Sequence, residues 1–459
     1  MNKILSIVLI FLATVATAQE KSPLIKGEVF VDLAQGTIDA DLTIDEMPFV
    51  KDYLILLNAG MNVRYVRHLK KGYTYYCERG YDSKISYEAF NYYIPDNTGK
   101  GKYIPQQGLR WNYTGKFPVV NDTNEAQRVD WRGNIAFNDY SLRTDGAQAA
   151  WYPVLYDVTT DKSYTRVRYD IKVNCKGCSS MFINGSKPVP GSIARFKNED
   201  PCEMFMYLGR YNVKNVDGTY FLKPDADDEK LRSFGEMTNK LKKFYTDKTG
   251  IAYERSIVYA NSTPVSKNNA WMFVAYPTIA MVGWGEHGLS GVLDDTTMWS
   301  YNFIAHELAH FCLEFNSPIG DALNEGFAEY MSSLAIKQLF GEQVYKKSIE
   351  EWITNTKDFK PVCLSKITDE QGYGSRQRYV YNYMPLLLTA IGREIGTDAM
   401  WRFVKKLSDT GKVSVPTDYT YFIRCLAEVV QDKPKMDQIR THYLEGDNTL
   451  SNAIEAINK

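Results

Sequence analysis

Residues 302–330 read NFIAHELAHFCLEFNSPIGDALNEGFAEY and contain an H-E-x-x-H box at residues 306–310. Because residues four apart lie on one face of a helix, the rings of His306 and His310 can reach a single point. Fourteen residues then separate this box from Glu325. A carboxylate from a neighbouring helix would give three protein ligands and leave a fourth position for water. This ligand set is typical of a catalytic zinc site.

The sequence therefore predicts one Zn²⁺ ion, held by His306, His310 and Glu325. Glu307 lies beside a ligand and is predicted to be the general base, taking a proton from the attacking water and passing it to the leaving amine. Zinc lowers the pKa of such a water to about 7. Glu329, one helical turn beyond Glu325, is the competing third ligand. It can equally orient an imidazole ring through a hydrogen bond, or simply face solvent.

Composition limits the classes of partner. The chain has 459 residues, with 54 basic and 55 acidic side chains, so it offers no net charge for a nucleic acid or an anionic membrane. The length is sufficient for two or three domains. We expect a peptide or protein substrate and no nucleic-acid partner, and the sequence leaves the oligomeric state open.

The N-terminal residues 1–19, MNKILSIVLIFLATVATAQ, have the pattern of a signal peptide. A lysine precedes an apolar run that ends in small residues, which predicts a signal peptide over residues 1–18 and cleavage before Gln19. The alternative is an N-terminal membrane anchor, although the run is short for a bilayer span. We expect an exported protein, periplasmic or extracellular, with no membrane span after signal removal.

Seven cysteines are present, and export would permit disulfides. Cys175 and Cys178 form a C-x-x-C pair that no second pair accompanies, so a turn or a local disulfide is favoured over a redox or zinc site. Cys312, on the predicted zinc helix, is expected to be a small buried apolar residue.

Residues 19–222 are predicted to form an all-β domain, a large sandwich or saddle of mostly antiparallel strands. Short alternating segments separated by turn residues support this prediction. The main ones are Gly27–Leu33, Leu54–Asn58, Tyr73–Arg79, Tyr164–Val173 and Met204–Asn212.

Residues 223–459 are predicted to form an α+β catalytic domain that is mostly helical after residue 297. A helical apolar period begins at Asp228 and marks the change between the two domains. Asp295 or Thr296 is expected to cap the helix of the H-E-x-x-H box, and Asp321 to cap the helix that carries Glu325.

The zinc box followed by Asn324-Glu-Gly-Phe-Ala resembles the aminopeptidase N family of gluzincin metallopeptidases, which implies a thermolysin-like catalytic domain. Shortly before the box, Gly283-Trp-Gly-Glu-His resembles that family's G-x-M-E-N exopeptidase motif. Gly285 stands in place of its Met and His287 in place of its Asn. The resemblance implies that Glu286 binds the free α-amine of the substrate.

Two further segments extend the resemblance. Residues 381–403 are similar to the family's helix that opens with a catalytic tyrosine, which implies that Tyr381 stabilises the oxyanion. Tyr379 and Tyr383 remain alternatives for this role. Residues 151–157, WYPVLYD, resemble a segment of the family's N-terminal β-domain.

Two features depart from the family. It usually has eighteen residues between the second histidine and the glutamate, where this chain has fourteen. The sequence also ends soon after the catalytic domain, so we expect a short form without the family's helical C-terminal domain.

Three functions fit these observations. A zinc aminopeptidase is favoured because of the Glu286 motif. A thermolysin-type endopeptidase would use the same zinc chemistry without binding the α-amine. A non-catalytic binding protein on the same fold is the third alternative.

Overall fold

The computed structural model describes residues 22–459 except 86–87, 106–107, 122–134, 147, 264–270, 284–287, 296–297, 314, 316–318, 369 and 412–417. The predicted signal peptide, Thr296 and Glu286 therefore lie outside the described residues. Within them, no helix has both the length and the apolar character needed to cross a bilayer.

The first half of the chain is built from strands. In chain order they are β1 (Leu24–Asp32), β2 (Thr37–Asp45), β3 (Tyr53–Asn58), β4 (Met61–His68), β5 (Thr74–Tyr75), β6 (Glu78–Gly80), β7 (Ala89–Tyr93), β8 (Leu109–Lys116), β9 (Ile135–Phe137), β10 (Ser141–Thr144), β11 (Val154–Asp157), β12 (Lys162–Tyr164), β13 (Val167–Lys176), β14 (Ser180–Ile183), β15 (Val189–Pro190), β16 (Ile193–Cys202) and β17 (Met206–Gly209).

These strands form three sheets. A seven-stranded sheet has the order β16-β13-β1-β2-β8-β4-β5, and two five-stranded sheets have the orders β15-β14-β17-β10-β9 and β12-β11-β3-β7-β6. The alternating sequence of β2 explains its place in a sheet with one buried face, because Ile38, Ala40, Leu42 and Ile44 are all buried while their neighbours are not. The pairing is antiparallel except for β1 with β13, which is parallel.

The second half combines a smaller sheet with helices. Its strands are β18 (Val213–Val216), β19 (Thr219–Leu222), β20 (Val258–Asn261), β21 (Trp271–Ala275) and β22 (Thr278–Val282), in the order β18-β19-β20-β22-β21. Its helices are α1 (Asp228–Thr249), α2 (Leu289–Leu293), α3 (Trp299–Ala309), α4 (Gly320–Phe340), α5 (Glu342–Asn355), α6 (Arg376–Arg378), α7 (Met384–Ile395), α8 (Thr397–Gly411), α9 (Tyr419–Val430), α10 (Lys433–Ile439) and α11 (Thr449–Asn458).

Helix α1 shows why these segments fold as predicted. The Asp227 side chain accepts a hydrogen bond from the backbone N–H of Lys230, and Gly250 ends the helix in the left-handed conformation with φ 74°. Leu231, Phe234 and Leu241 recur on its buried face. The predicted fold class, a β-rich N-terminal part followed by an α+β part that is mostly helical, is confirmed.

Three expectations about local structure are wrong. Asp295 is not the N-cap of α3, because Met298 holds that position. The predicted strand Tyr73–Arg79 is broken into β5 and β6, which belong to different sheets. Asp321 does not cap α4, because the helix begins at Gly320 with Ile319 at its N-cap and no side-chain cap. The Asp321 carboxylate instead pairs with Arg376 from α6.

Buried side chains form two large clusters, one within the three sheets and one within the helical half. A third, smaller cluster contains residues of both halves. It includes Phe205 and Tyr207 of the first half and Val258 and Ala280 of the second. Strand β19, which precedes residue 223, pairs with β20, which follows it. The domain division at residue 223 remains a prediction.

The structure agrees with the predictions for the C-x-x-C pair and for Cys312. Cys175 and Cys178 form a local disulfide, and the other five cysteines are free. Cys312 is buried.

Candidate metal centre and active site

Helix α3 carries the H-E-x-x-H box and is fixed at both ends by side chains. At its start, the Asp295 carboxylate accepts a hydrogen bond from the backbone N–H of Ser300 at 2.6 Å, although Met298 and not Asp295 holds the N-cap position. Near its end, the Tyr245 hydroxyl donates to the carbonyl of Ala305 at 2.7 Å. The helix ends at Ala309, and residues 310–312 continue as one 3₁₀ turn.

The two histidines and Glu325 converge as the sequence predicts for a metal site. The Nε2 atom of His306 lies 3.1 Å from Nε2 of His310 and 3.1 Å from Oε2 of Glu325. The Nε2 atom of His310 lies 3.6 Å from the same Glu325 oxygen. One ligand atom from each residue falls within 4.8 Å of the other two. Two imidazole nitrogens and one carboxylate oxygen are a donor set that zinc accepts.

Glu329 occupies a different place in the cluster. Its Oε2 atom lies 2.9 Å from Nδ1 of His306, on the side of the ring away from Glu325. Its other oxygen accepts a hydrogen bond from the indole N–H of Trp352 on α5 at 3.3 Å. A carboxylate behind an imidazole is the usual support of a metal-ligating histidine, because it orients the ring and leaves Nε2 for the ion. The residues present therefore fit zinc.

The acidic groups change the ionisation of the cluster. Burial lowers the pKa of His306, but the hydrogen bonds to Glu325 and Glu329 outweigh it and raise the pKa to about 10. Burial raises the pKa of Glu325, but both imidazoles outweigh it and hold the pKa well below its usual range. Burial also raises the pKa of Glu307, against the opposing effect of the two histidines.

The three candidate tyrosines have different surroundings. They lie on a turn of π-helix over residues 379–383, between α6 and α7. The Tyr379 hydroxyl donates to the carbonyl of Val362 at 2.9 Å, and the Tyr383 hydroxyl lies 2.7 Å from that of Thr449. Tyr381 alone of the three is only partly buried, and its ring centre lies 5.9 Å from that of His306.

Tyr381 is a neutral phenol at physiological pH. Burial and the neighbouring charge of Glu325 raise its pKa to about 12, against the opposing effect of Arg376. An uncharged phenol keeps an O–H that can donate a hydrogen bond to a developing oxyanion.

Arg376 is a residue of this cluster that the sequence did not reveal. Its guanidinium forms two hydrogen bonds to Asp321, at 2.7 and 2.8 Å. The same group lies 3.6 Å from Oε1 of Glu325 and donates to the Tyr381 hydroxyl at 3.4 Å. The spacing of five residues between Arg376 and Tyr381 matches no motif, so only the tertiary contact identifies it.

A cavity of about 710 Å³ opens beside the cluster. It is lined by Asn302, His306 and Glu307 of α3, by Trp352 of α5 and by Tyr381. Its volume is within the range of about 300–1,000 Å³ that is usual for ligand sites. Glu307 and Tyr381 therefore face one space, next to the three candidate metal ligands. Glu286, the predicted amine-binding residue, is outside the described residues.

Solved structures share this fold. Leukotriene A4 hydrolase from Saccharomyces cerevisiae matches with a TM-score of 0.63 and 13% identity, over 92% of this chain and 67% of its own. The same yeast hydrolase in complex with bestatin matches with a TM-score of 0.62 and 12% identity, over 91% and 66% respectively. An M1 zinc metallopeptidase from Deinococcus radiodurans, a mutant bound to a Tyr-Ser-Ala substrate, matches with a TM-score of 0.59 and 13% identity, over 94% and 95%.

This chain thus spans about two thirds of the yeast hydrolase and nearly the whole bacterial metallopeptidase. At these identities the likeness shows a common fold. No family model matches the chain, and no curated protein matches it.

Proposed function

We propose that this protein is a zinc-dependent peptidase, and most specifically an aminopeptidase that removes N-terminal residues from peptides. The observation that carries the proposal is the convergence of His306, His310 and Glu325 within 4.8 Å, beside a cavity that Glu307 also lines. The shared fold with a zinc metallopeptidase supports the same chemistry.

Each residue has a distinct task in this mechanism. His306, His310 and Glu325 would hold zinc, which when bound supplies a Lewis acid for the scissile carbonyl and lowers the pKa of water. Glu307 accepts a proton from the attacking water and delivers it to the leaving nitrogen, so the amide bond is replaced by an acid and an amine. The Tyr381 O–H donates a hydrogen bond to the oxygen that becomes negative.

The proposal also includes two more specific statements, that the peptidase is an aminopeptidase and that the protein is exported. The motif around Glu286 supports binding of a free α-amine, and the Deinococcus metallopeptidase is a protein with a tripeptide substrate bound. The N-terminal pattern of residues 1–18 supports export to the periplasm or the extracellular space. The Cys175–Cys178 disulfide is compatible with such an oxidising compartment.

Replacing the general base tests the mechanism. We expect Glu307→Gln to bind one zinc per chain and to lower kcat by about 10²–10⁴-fold, because the amide cannot accept the proton. Zinc content by mass spectrometry and hydrolysis of a peptide series measure the two effects. Glu350→Gln, at an exposed position of α5, is the matched control and should keep full activity. Normal turnover by the Glu307 variant would overturn the mechanism.

The type of cleavage is tested separately. We expect peptides with a free N-terminus to be cut and their N-acetylated forms to be poor substrates, because a blocked amine loses its charge. Digestion with and without chelator, followed by mass spectrometry of the products, measures this. Equal cleavage of free and blocked peptides would favour a thermolysin-type endopeptidase. Absence of zinc and of zinc-restored hydrolysis would favour a binding protein.

A further inference from the structure

We propose that Arg376 is a positioning residue that holds Glu325 and Tyr381 in their working orientations, and that Asp321 anchors it. The proposal rests on the function proposed above, because it assigns Arg376 to the same site. The contacts that support it join two separate elements, α4 and the short helix α6.

The anchor is a two-point contact. Nε and Nη2 of Arg376 donate to the two oxygens of Asp321 at 2.7 and 2.8 Å. A planar guanidinium facing a planar carboxylate in this way fixes both distance and orientation, which a lysine cannot do. Because Asp321 lies on α4, one turn before Glu325, the contact fixes the guanidinium relative to the helix that carries the candidate metal ligand.

The first group positioned is Glu325. Its Oε2 atom faces both imidazoles, while Oε1 lies 3.6 Å from Nη2 of Arg376. The guanidinium is therefore on the side of the carboxylate opposite the histidines. It keeps Oε1 turned away from the metal position and leaves Oε2 to face it. It also offsets the repulsion between Asp321 and Glu325, two like charges four residues apart on one helix.

The second group positioned is Tyr381. Nη1 of Arg376 lies 3.4 Å from its hydroxyl oxygen, and the guanidinium carbon lies 5.5 Å from the ring centre. A guanidinium has donors and no acceptor, so the phenol oxygen must accept in this contact. The phenol proton remains available for donation, to the neighbouring Glu325 carboxylate or to a substrate oxygen. Arg376 thus holds the hydroxyl and leaves its donor function intact.

Replacing Arg376 with lysine keeps the positive charge and removes the planar two-point contact, so it tests the positioning role separately from the charge. We expect Arg376→Lys to lower kcat by about tenfold and to leave KM within about twofold, because the Tyr381 contact matters for the transition state. We also expect about tenfold weaker zinc binding, the lower end of what supporting contacts contribute. Both are measured on the full-length zinc-loaded protein, with the zinc affinity from competition with a chelator.

The matched control is Arg195→Lys. Arg195 forms the same two-point contact with Asp170, at 2.6 and 2.7 Å, on the N-terminal sheet. We expect this variant to have unchanged kcat, KM and zinc affinity. If Arg376→Lys does not fold, as judged by circular dichroism, Asp321→Asn serves instead, since it removes the anchor and leaves Arg376 in place.

A double-mutant cycle with Tyr381→Phe tests whether Arg376 affects kcat through the Tyr381 hydroxyl. If Arg376 acts through the phenol, the loss of kcat on Arg376→Lys should shrink below about threefold in the Tyr381→Phe background at saturating zinc. The proposal would be overturned if the kcat losses of the two single variants multiplied in the double variant. It would also be overturned if Arg376→Lys kept the wild-type kcat and zinc affinity. Should the wild-type protein bind zinc without hydrolysing peptides, the proposed function fails, and the zinc affinities alone decide the role of Arg376 at Glu325.

Discussion

His306 is the most constrained residue of the site, because both of its ring nitrogens meet carboxylates. Nε2 lies 3.1 Å from Glu325 and Nδ1 lies 2.9 Å from Glu329. Burial of the ring disfavours its charged form, but the hydrogen bonds to the two carboxylates outweigh burial and raise the pKa of His306 to about 10. The raised pKa favours the protonated ring, so we expect a proton to compete with zinc for Nε2 of His306 at neutral pH.

This leads to a prediction about pH. Zinc must displace the His306 proton, so we expect binding at pH 7 to release about one proton from this residue and the affinity to rise with pH below about 10. Isothermal titration calorimetry in buffers of different ionisation enthalpy measures the release. In the metal-free protein, the stabilisation by charged His306 should be present below its ordinary pKa of 6.5 and be lost as the pH rises through about 10.

Glu329→Gln is the informative variant for this prediction. Losing one carboxylate should lower the pKa of His306, reduce the proton release and weaken zinc binding by about 10–100-fold. Glu342→Gln, at an exposed position where α5 begins, should change none of these. Zinc binding that releases no proton from the wild-type protein at pH 7 would contradict the prediction.

The predictable part of the site is the part that one helix encodes. His306, His310 and Glu307 follow from a four-residue spacing, and Glu325 from its local context. Arg376 and Trp352 could not be predicted, because their contacts to α4 depend on how separate helices pack. Asp321 was predicted to be a helix cap, the usual role of an aspartate just before an apolar helix, but a partner distant in sequence occupies its carboxylate.

At the scale of elements, the approach of α4 to the segment with Tyr381 depends on one glycine. Gly326 follows Glu325 on α4, and a Cβ built on it would lie 2.6 Å from Cβ of Met384, the first residue of α7. A real contact this short does not occur, so α4 and the π-helical turn could not pack as closely with any larger residue. The glycine of the Asn-Glu-Gly sequence thus has a packing role that the sequence alone does not show.

We therefore expect Gly326→Ala to lower the melting temperature and to lower kcat at least tenfold, although alanine is the better helix former by about 1 kcal/mol. The strain should separate Glu325 from Tyr381. Differential scanning calorimetry and steady-state kinetics measure the two effects. Gly235→Ala on α1 is the control, because its nearest contact is 3.3 Å from a valine side chain that can adjust. Equal behaviour of the two variants would contradict the packing role.

Prediction of the elements succeeded where a segment carries its own end signals. Helix α1 begins at Asp228, where its apolar period was predicted to begin, and Asp227 and Gly250 cap its two ends. The segment Tyr73–Arg79 alternates as a strand should, yet its two halves join different sheets, since strand partners are set by tertiary pairing. The π-helical turn at residues 379–383 was likewise not predictable, because its extra residue is stabilised by contacts with α4 and α5.

At the scale of the whole molecule, the two halves are joined by buried polar contacts as well as apolar ones. Asn184, which follows β14, is fully buried. Its amide N–H₂ donates to the carbonyl of Tyr276 at 3.0 Å, and its amide oxygen accepts from the Thr278 hydroxyl at 2.7 Å. One side chain of the first half therefore satisfies two polar groups beside β22 in the second half.

We expect Asn184→Ala to lower the free energy of unfolding by about 3 kcal/mol, because each buried polar group left without a partner costs about 1–3 kcal/mol. Zinc affinity should stay within about twofold, since the side-chain hydrogen bonds of Asn184 go to Glu203, Tyr276 and Thr278 and not to a candidate ligand. Asn62→Ala, at an exposed position of β4, should change stability by less than about 0.5 kcal/mol. Urea titration and chelator competition measure both quantities, and a large loss of zinc affinity would mean that the metal centre depends on the junction between the halves.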